Sequence, residues 1–295
     1  MAKALEKRSA KILALILALI MIGSVFAYAL RGTQTTPQRE IIYEVKDFKK
    51  TLDLLSDAHY IYYLNFSLKD TNMSTLISNY WKGIAMNDPI FRYIRFSQVN
   101  SMFYAVFNQT IFGSEYLYLF DTGNSKIFFS YDQKTEYKNV TVKIKNGYGF
   151  AENTNPAAVG TLNNVYDFID RVSENTTGRY YNLTSKLPDI NYDFAVVLFE
   201  ETANSSIKLT NSTGKVADFY FEGIAVNESG GYDKVVAINF LQNVFFVESN
   251  VTEHYNVTRY GGFNIAFMHD NNFTKILEAK PEMRAVIIQW NEGGG

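Results

Sequence analysis

The sequence predicts an α+β, β-rich fold, in which an N-terminal transmembrane helix precedes two tandem related domains, each a helix plus an antiparallel sheet. Three observations predict it. A hydrophobic run without charge lies near the start of the 295 residues, segments rich in Val, Ile, Phe and Tyr fill the remainder, and two stretches repeat at one offset. With 47% hydrophobic and 20% charged residues, the chain is neither a disordered tail nor a multi-span membrane protein.

The hydrophobic run predicts a membrane anchor. From Ile12 to Leu30 no residue is charged, and a helix of that length reaches roughly 28 Å, close to the ~30 Å hydrocarbon core of a bilayer. Basic residues dominate the segment before it, which leaves the N-terminus in the cytoplasm and the C-terminal domains extracellular. The alternative is a signal peptide cleaved near Ala29, which would give a secreted protein. Residues 1–31 are therefore a basic tail with a signal-anchor, and 32–44 a linker.

A shift of 117 positions aligns the chain with itself. Residues 127–141 fall on 244–258 with seven of fifteen pairs identical, and at the same offset 63–69 fall on 180–186. This internal repeat predicts a first extracytoplasmic domain at 45–150 and its duplicate at 160–291, separated by a Gly- and Asn-rich break from Asn146 to Gly160. The period is too long for a solenoid, whose units run to about 20–50 residues.

Local patterns then place the individual elements. Apolar residues three and four apart predict helices at 48–55, 73–85 and 162–172; Thr71 or Asn72 would cap the second, and Gly178 would close the third. Runs rich in β-branched and aromatic residues predict strands. In the first half these are 93–99, 102–107, 115–120, 126–131 and 137–145, and in the second half 194–199, 217–225, 234–240, 244–247, 255–259, 263–268 and 284–290.

Asn-x-Ser/Thr sequons are unusually dense. Twelve occur, where random placement of the Asn, Ser and Thr residues of this chain would give about four. All follow the hydrophobic run, so topology places them outside the cytoplasm, and each marks an expected surface position because a glycan cannot enter a core. The predicted N-glycosylation sites are Asn65, Asn72, Asn108, Asn139, Asn175, Asn182, Asn204, Asn211, Asn227, Asn250, Asn256 and Asn272.

The absence of cysteine and the small net charge exclude several classes of protein. The chain has no cysteine, which excludes disulfide scaffolds and thiolate chemistry, and its net charge of −2 argues against a nucleic-acid partner. Dense sequons without disulfides are unlike a typical eukaryotic secreted domain and fit an archaeal cell surface, or a virus of such a host.

One motif resembles an active site. Residues 118–123 end in Asp121-Thr122-Gly123 and resemble the active-site turn of aspartic proteases, in which two Asp share a proton. The equivalent position of the second half is Ile238, so only a homodimer could supply the second Asp. The alternative, which we favour, is a hairpin turn with Asp121 in an Asx-turn.

Other chemistry leaves no signature in the sequence. Three His occur without metal-ligand spacing, and His269-Asp270 fits a surface turn. We predict no catalytic, cofactor-binding or metal-binding residues and no cofactor, although calcium held by separated loops stays open. Aromatic residues, at 16%, fit either core packing or a surface that stacks carbohydrate or contacts protein.

These observations predict a membrane-anchored, heavily N-glycosylated cell-surface protein with a structural or partner-binding, non-catalytic role. Its expected partners are the bilayer, through Ile12–Leu30, its N-linked glycans, and proteins at the cell surface. Two alternatives remain: an accessory ectodomain of a membrane complex, and a surface hydrolase with an unrecognised site.

Overall fold

The computed structural model describes residues 40–86, 88–96, 98–110, 113–123, 125–207 and 214–285. From Ile41 onward the described residues belong to one compact unit. The predicted membrane segment, Ile12 to Leu30, lies outside the described residues. Among the helices that are described, none combines the length and the apolar character needed to cross a bilayer.

One twelve-stranded antiparallel sheet organises the fold, which confirms the α+β, β-rich class. Its strands are β2 (Tyr60–Asn65), β4 (Ser101–Thr110), β5 (Gly113–Asp121), β7 (Gln133–Tyr137), β8 (Val140–Lys145), β9 (Tyr148–Ala151), β11 (Ala157–Thr161), β12 (Phe194–Phe199), β13 (Ala217–Val226), β14 (Tyr232–Phe240), β16 (His254–Tyr260) and β17 (Phe263–Asp270). The spatial order is β16-β17-β14-β13-β12-β2-β4-β5-β11-β9-β8-β7. Every neighbouring pair is antiparallel. The two halves of the chain therefore share one sheet, joined where β2 pairs with β12.

In the described part of the chain, three pairs of short strands lie outside this sheet. β1 (Tyr43–Glu44) runs parallel to β10 (Thr154–Asn155), while β3 (Ile94–Phe96) pairs antiparallel with β6 (Ile127–Phe129), and β15 (Val244–Phe246) with β18 (Met283–Ala285).

The helices are short and lie against the faces of the sheet. They are α1 (Phe48–Leu54), α2 (Thr71–Ala85), α3 (Leu162–Glu174), α4 (Tyr181–Thr184), α5 (Glu200–Ser206) and α6 (Phe273–Glu278), with a 3-10 helix at Pro89–Arg92. The predicted helices at 48–55, 73–85 and 162–172 are thereby confirmed to within two residues at each end.

Two layers of apolar side chains cover the sheet, because successive residues of a strand point to opposite faces. On the first face, alternate residues such as Leu117, Leu119 and Phe221 pack against α1, α3 and α4. On the second face, Tyr118 and Phe120 pack against α2 and the 3-10 helix. Farther along that face, the outer strands of the second half pack against α6.

Two predicted caps were wrong. Asp70 caps α2 by accepting a 2.8 Å hydrogen bond from the Met73 amide, so Thr71 and Asn72 lie in the first turn. Asn175, at φ 50°, terminates α3 in the left-handed conformation. Gly178 instead donates its amide to Asp53 Oδ2 at 2.7 Å, and a Cβ at this position would overlap the Asp53 carbonyl oxygen.

Two strand boundaries also differ. The strand expected at 137–145 begins only at Val140, as β8, because Lys138 and Asn139 form a turn with positive φ. Tyr137 instead ends β7, a strand that the sequence analysis did not predict. The expected break between halves, Asn146 to Gly160, contains β9, β10 and β11, and β11 lies between β5 and β9 in the sheet. The chain therefore leaves the first half only after β11.

The offset of 117 relates some elements and not others. It carries β4, β5 and β6 onto β13, β14 and β15 to within two residues, and Phe128 and Phe245 occupy the middle of β6 and β15. Asn139, however, lies in a turn whereas Asn256 lies in β16, and Tyr63 lies in β2 whereas Tyr180 precedes α4.

Candidate functional site

The sequon asparagines lie at the surface of the described structure. Asn211 lies outside the described residues. Of the other eleven, none is buried, and three are half-buried: Asn65, Asn204 and Asn227. The remaining eight are exposed, namely Asn72, Asn108, Asn139, Asn175, Asn182, Asn250, Asn256 and Asn272. Surface exposure is required for a glycan, so the geometry permits glycosylation at the eight exposed sites, and all twelve sites stay predictions.

Two half-buried sequon amides already donate hydrogen bonds. Asn65 Nδ2 donates to Asp193 Oδ1 at 2.9 Å. Asn227 Nδ2 lies 3.2 Å from His269 Nδ1, while its Oδ1 accepts the Gly231 amide at 2.9 Å. Attachment of a glycan to these nitrogens would compete with the existing contacts.

Asp121 forms the predicted Asx-turn, in a different setting from the one expected. Its Oδ1 accepts the Gly123 amide at 2.9 Å, and Gly123 has φ 52°. The segment is not a hairpin, because it leads from β5 to β6, and β6 pairs with β3. Asp121 is half-buried and lines a cleft of about 360 Å³.

The interpretation of His269-Asp270 as a surface turn was wrong, since both residues belong to β17. His269 Nδ1 lies 2.7 Å from Asp233 Oδ1, and the His254 ring stacks on it with centroids 5.6 Å apart. Asp270 is 2% exposed and pairs with Lys275 at 2.6 Å. In the described part of the chain, no group of three or more His, Asp or Glu side chains is arranged to hold a metal.

The most distinctive concave feature is a cleft on the second face of the sheet, which we call the tyrosine cleft. Its volume is about 570 Å³, and it is lined by Ile84, Asp88, Pro89, Tyr104, Ser114, Tyr116, Asn146, Gly147, Tyr148 and Thr161. Three strands of the sheet supply its aromatic rings. β4 contributes Tyr104, β5 contributes Tyr116, and β9 contributes Tyr148.

Asp88 joins these rings through hydrogen bonds. The Tyr116 hydroxyl donates to Asp88 Oδ1 at 2.5 Å, and the Tyr118 hydroxyl donates to Oδ2 at 2.6 Å. Asp88 also caps the 3-10 helix, because Oδ1 accepts the Ile90 amide at 2.9 Å. A carboxylate offers about four lone-pair positions. Among the hydrogen bonds of the described residues, three of these positions are taken, which leaves one on Oδ2.

The hydroxyl groups form a connected row. Tyr104 is hydrogen-bonded to Tyr60 and Tyr118, and Tyr116 to Tyr148, so Asp88 sits at the centre of the row. Burial raises the pKa of Tyr104, and burial together with the neighbouring Asp88 raises the pKa of Tyr116 and Tyr118. These phenols therefore remain protonated at physiological pH and act as hydrogen-bond donors.

The lining of the cleft combines stacking surfaces with polar groups, which is the usual make-up of a ligand site. Asp88 is the one acidic side chain among the described residues that line it. None of its lining residues is a sequon asparagine. A second cleft, around Phe48 and Tyr63, has the sequon residue Asn65 in its wall.

Sequence reasoning missed Asp88. Asp followed by Pro89 is a signal for the start of a helix, with Asp as cap and Pro at the first position, and the structure shows that role. The contacts with Tyr116 and Tyr118 join segments almost thirty residues apart, and local pattern does not reveal them.

The fold and the cleft define an α+β protein built on one broad antiparallel sheet with a tyrosine-lined surface cleft. Residues 44–173 match the AF_2048_N family profile, described as a family N-terminal domain. The chain is 31% identical to a protein of Archaeoglobus fulgidus described as "Uncharacterized protein", over 99% of this chain and 98% of the relative. The chain therefore belongs to the same protein family as that archaeal protein.

One solved structure also aligns. It is entitled "Structure of crystal form I of TP0453", and the alignment covers 71% of this chain and 87% of that chain at 8% identity. Its TM-score of 0.36 is too low for the likeness to carry an argument.

Proposed function

We propose that the protein is a membrane-anchored, N-glycosylated protein of the cell surface that binds a partner without catalysis, and that the tyrosine cleft is the binding site. The observation that carries the proposal is the placement of the sequons. The described sequon asparagines are exposed or half-buried, and none lines the tyrosine cleft. A partner can therefore reach the cleft on a surface that is otherwise decorated with glycans.

The chemistry of the cleft supports binding over hydrolysis. Glycoside hydrolysis and aspartic proteolysis both use a pair of carboxyl groups. Asp88 is the one carboxylate among the described lining residues, and two phenols and a backbone amide already bond to it. Such a carboxylate is held in a fixed position, where it can orient a ligand hydroxyl.

Topology and glycan occupancy test the proposal together. Intact archaeal cells that express the full chain are treated with protease, and glycopeptides are mapped by mass spectrometry. We expect degradation of the bulk of the chain and occupancy at the eight exposed sequons. Asn146, which is also exposed but lies outside a sequon, is the matched control and should stay unmodified. If the protease leaves the domain intact, or if no sequon asparagine carries a glycan, the proposal is contradicted.

A second experiment on the same cells distinguishes the proposed role from that of an accessory ectodomain of a membrane complex. Detergent extraction followed by size-exclusion chromatography should give the protein without a stoichiometric membrane partner. Co-elution with one integral membrane protein would favour the accessory role instead.

We further propose that the two halves arose by duplication of one unit. The support is that β4, β5 and β6 correspond in order and offset to β13, β14 and β15, and that the sheet order runs outward from the β2–β12 pair in both directions. In a crystal structure, superposing β4 and β5 on β13 and β14 should bring Phe128 onto Phe245. Strands that superpose only with reversed direction would exclude duplication.

A further inference from the structure

We propose that the tyrosine cleft is a carbohydrate-binding site. This inference rests on the proposed function, because it names the chemical class of partner for the same site. Three properties of the cleft carry it: the arrangement of its rings, the one remaining acceptor position on Asp88, and the neutral polar groups around them.

The rings can stack against sugar rings. The Tyr104 and Tyr116 centroids are 6.1 Å apart, and those of Tyr116 and Tyr148 are 6.2 Å apart, so the three rings follow one another along the cleft. Tyr116 is 6% exposed and forms the floor, while Tyr104 and Tyr148 are half-buried and keep accessible surface. Tyrosine rings offer rigid contact area at low entropic cost, and the C–H face of a pyranose is flat enough to lie on such a ring.

The polar groups suit sugar hydroxyls. Tyr116 and Tyr118 hold the Asp88 carboxylate in place, and the remaining position on Oδ2 can accept from a ligand hydroxyl. Asn146 lies at the turn between β8 and β9, and its amide is oriented by donation to the Tyr93 hydroxyl at 2.9 Å. A site with preorganised acceptors rejects ligands that leave those acceptors unmatched.

Two other ligand classes fit less well. An acyl chain would cover the remaining acceptor position of Asp88 and the Asn146 amide without offering either a hydrogen bond, which is costly. A quaternary ammonium ion suits tyrosine rings beside a carboxylate. However, the cleft holds about 570 Å³ and is open, which exceeds what one such ion fills, and the Asp88 charge is already shared between two phenol donors.

Binding is tested on the full chain in a polyoxyethylene detergent, because maltoside and phosphocholine detergents would themselves present sugar or quaternary ammonium groups. The probes are mannohexaose, cellohexaose, chitohexaose and the N-glycans released from the protein itself, with choline as a rival ligand. Saturation-transfer NMR detects binding, and calorimetry measures it. We expect at least one oligosaccharide to bind and choline not to bind.

Variants locate the bound sugar. Tyr148→Ala removes a stacking ring, and Asp88→Asn alters the polar acceptor; each should weaken binding by about tenfold or more. Asp88→Asn also disturbs buried hydroxyls, so Ser114→Trp serves as a second variant, which blocks the cleft from a position of β5 that lines it. Tyr181→Ala, at a half-exposed tyrosine of α4 outside the cleft, is the matched control and should bind normally.

Three results overturn the inference. The first is that no oligosaccharide binds; the proteolysis and glycan map then still decide the proposed surface role independently. The second is that choline binds and Tyr148→Ala abolishes it, which makes the cleft a cation site. The third is that sugar binding survives both Tyr148→Ala and Ser114→Trp, which places the sugar elsewhere.

Discussion

Lys234→Met removes a buried cation whose contacts fasten α6 to the sheet. Lys234 is 2% exposed on β14. Its Nζ donates to the Leu277 carbonyl at 3.0 Å and to the Ala279 carbonyl at 2.8 Å, and it lies 2.8 Å from Glu222 Oε1. The two carbonyls belong to the C-terminal end of α6, where helical carbonyls lack intrahelical partners. Met fills a similar volume, so the substitution removes charge and donors without opening a large cavity.

The expected loss of stability comes from the groups that no longer have the Lys234 ammonium as a partner. The buried Ala279 carbonyl would be left without this donor at a cost of about 1–3 kcal/mol, and the part-buried Leu277 carbonyl would lose less because water can reach it. The Glu222 side chain is 25% exposed, so water compensates part of its loss. We therefore expect the free energy of unfolding to fall by about 3–5 kcal/mol, the range found when one partner of a buried ion pair is removed. For a chain of this size the Tm should fall by about 10 °C.

Thermal and urea unfolding of the purified protein, with hydrogen exchange of the α6 amides, measures the effect. Lys280→Met, at an exposed lysine of the same segment, is the matched control and should change stability by less than about 0.5 kcal/mol. The double variant Lys234→Met/Glu222→Gln should recover part of the loss, because it removes the carboxylate charge that has lost its cation. A loss below about 1 kcal/mol for Lys234→Met, with α6 exchange unchanged, would refute the reasoning.

Three further predictions concern local contacts. Gly178→Ala should destabilise by about 2–3 kcal/mol because its Cβ overlaps backbone, whereas Gly83→Ala, with open space around it in α2, should stabilise by about 0.5–1 kcal/mol; denaturant melts compare them. Burial favours neutral Asp270, but its hydrogen bonds, led by Lys275, outweigh this and hold its pKa below the ordinary value. A lowered folded pKa gives stability that is present above about pH 4 and lost as pH falls further. The stability gap to Asp270→Asn should therefore be constant from about pH 7 to 5 and shrink below about pH 4; a gap independent of pH contradicts the shift. Asp121→Asn should cost less than about 1 kcal/mol, since Asn keeps the Asx-turn acceptor, and should leave acid proteolysis absent; pepstatin-sensitive activity that is lost in the variant would instead make Asp121 a catalytic residue.

Local patterns located three of the six described α-helices and most of the described strands, because burial on one side imposes a period on the sequence. The apolar spacing of Phe48 and Leu52 marked α1, and Phe194 to Phe199 was predicted as a strand with the bounds it has. The caps were harder: Asp70, Thr71 and Asn72 are all good capping residues, and only the structure selects Asp70. The turn at Lys138–Asn139 lacks glycine, so the sequence analysis did not predict it.

Long-range pairing could not be predicted in the same way. β2 and β12 lie side by side although about 130 residues separate them, and no local period specifies such a contact. The tyrosine cleft is a product of that assembly. Alternation places Tyr116 and Tyr118 on one face of β5, but the meeting of Tyr104, Tyr148 and Asp88 with them depends on strand order.

Among the strands that the structure describes, β7 and β16 form the two borders of the sheet. A border strand can recruit a strand from another molecule, which makes it a starting point for fibre-like growth. Asn139 lies in the turn between β7 and β8 and Asn256 lies within β16, and both are at the surface. With the proposed glycans attached there, each border carries a bulky hydrated group, and the sheet ends at twelve strands. Without them, the border strand of one molecule would be open to pairing with the next, and a high local concentration would favour polymers over separate molecules.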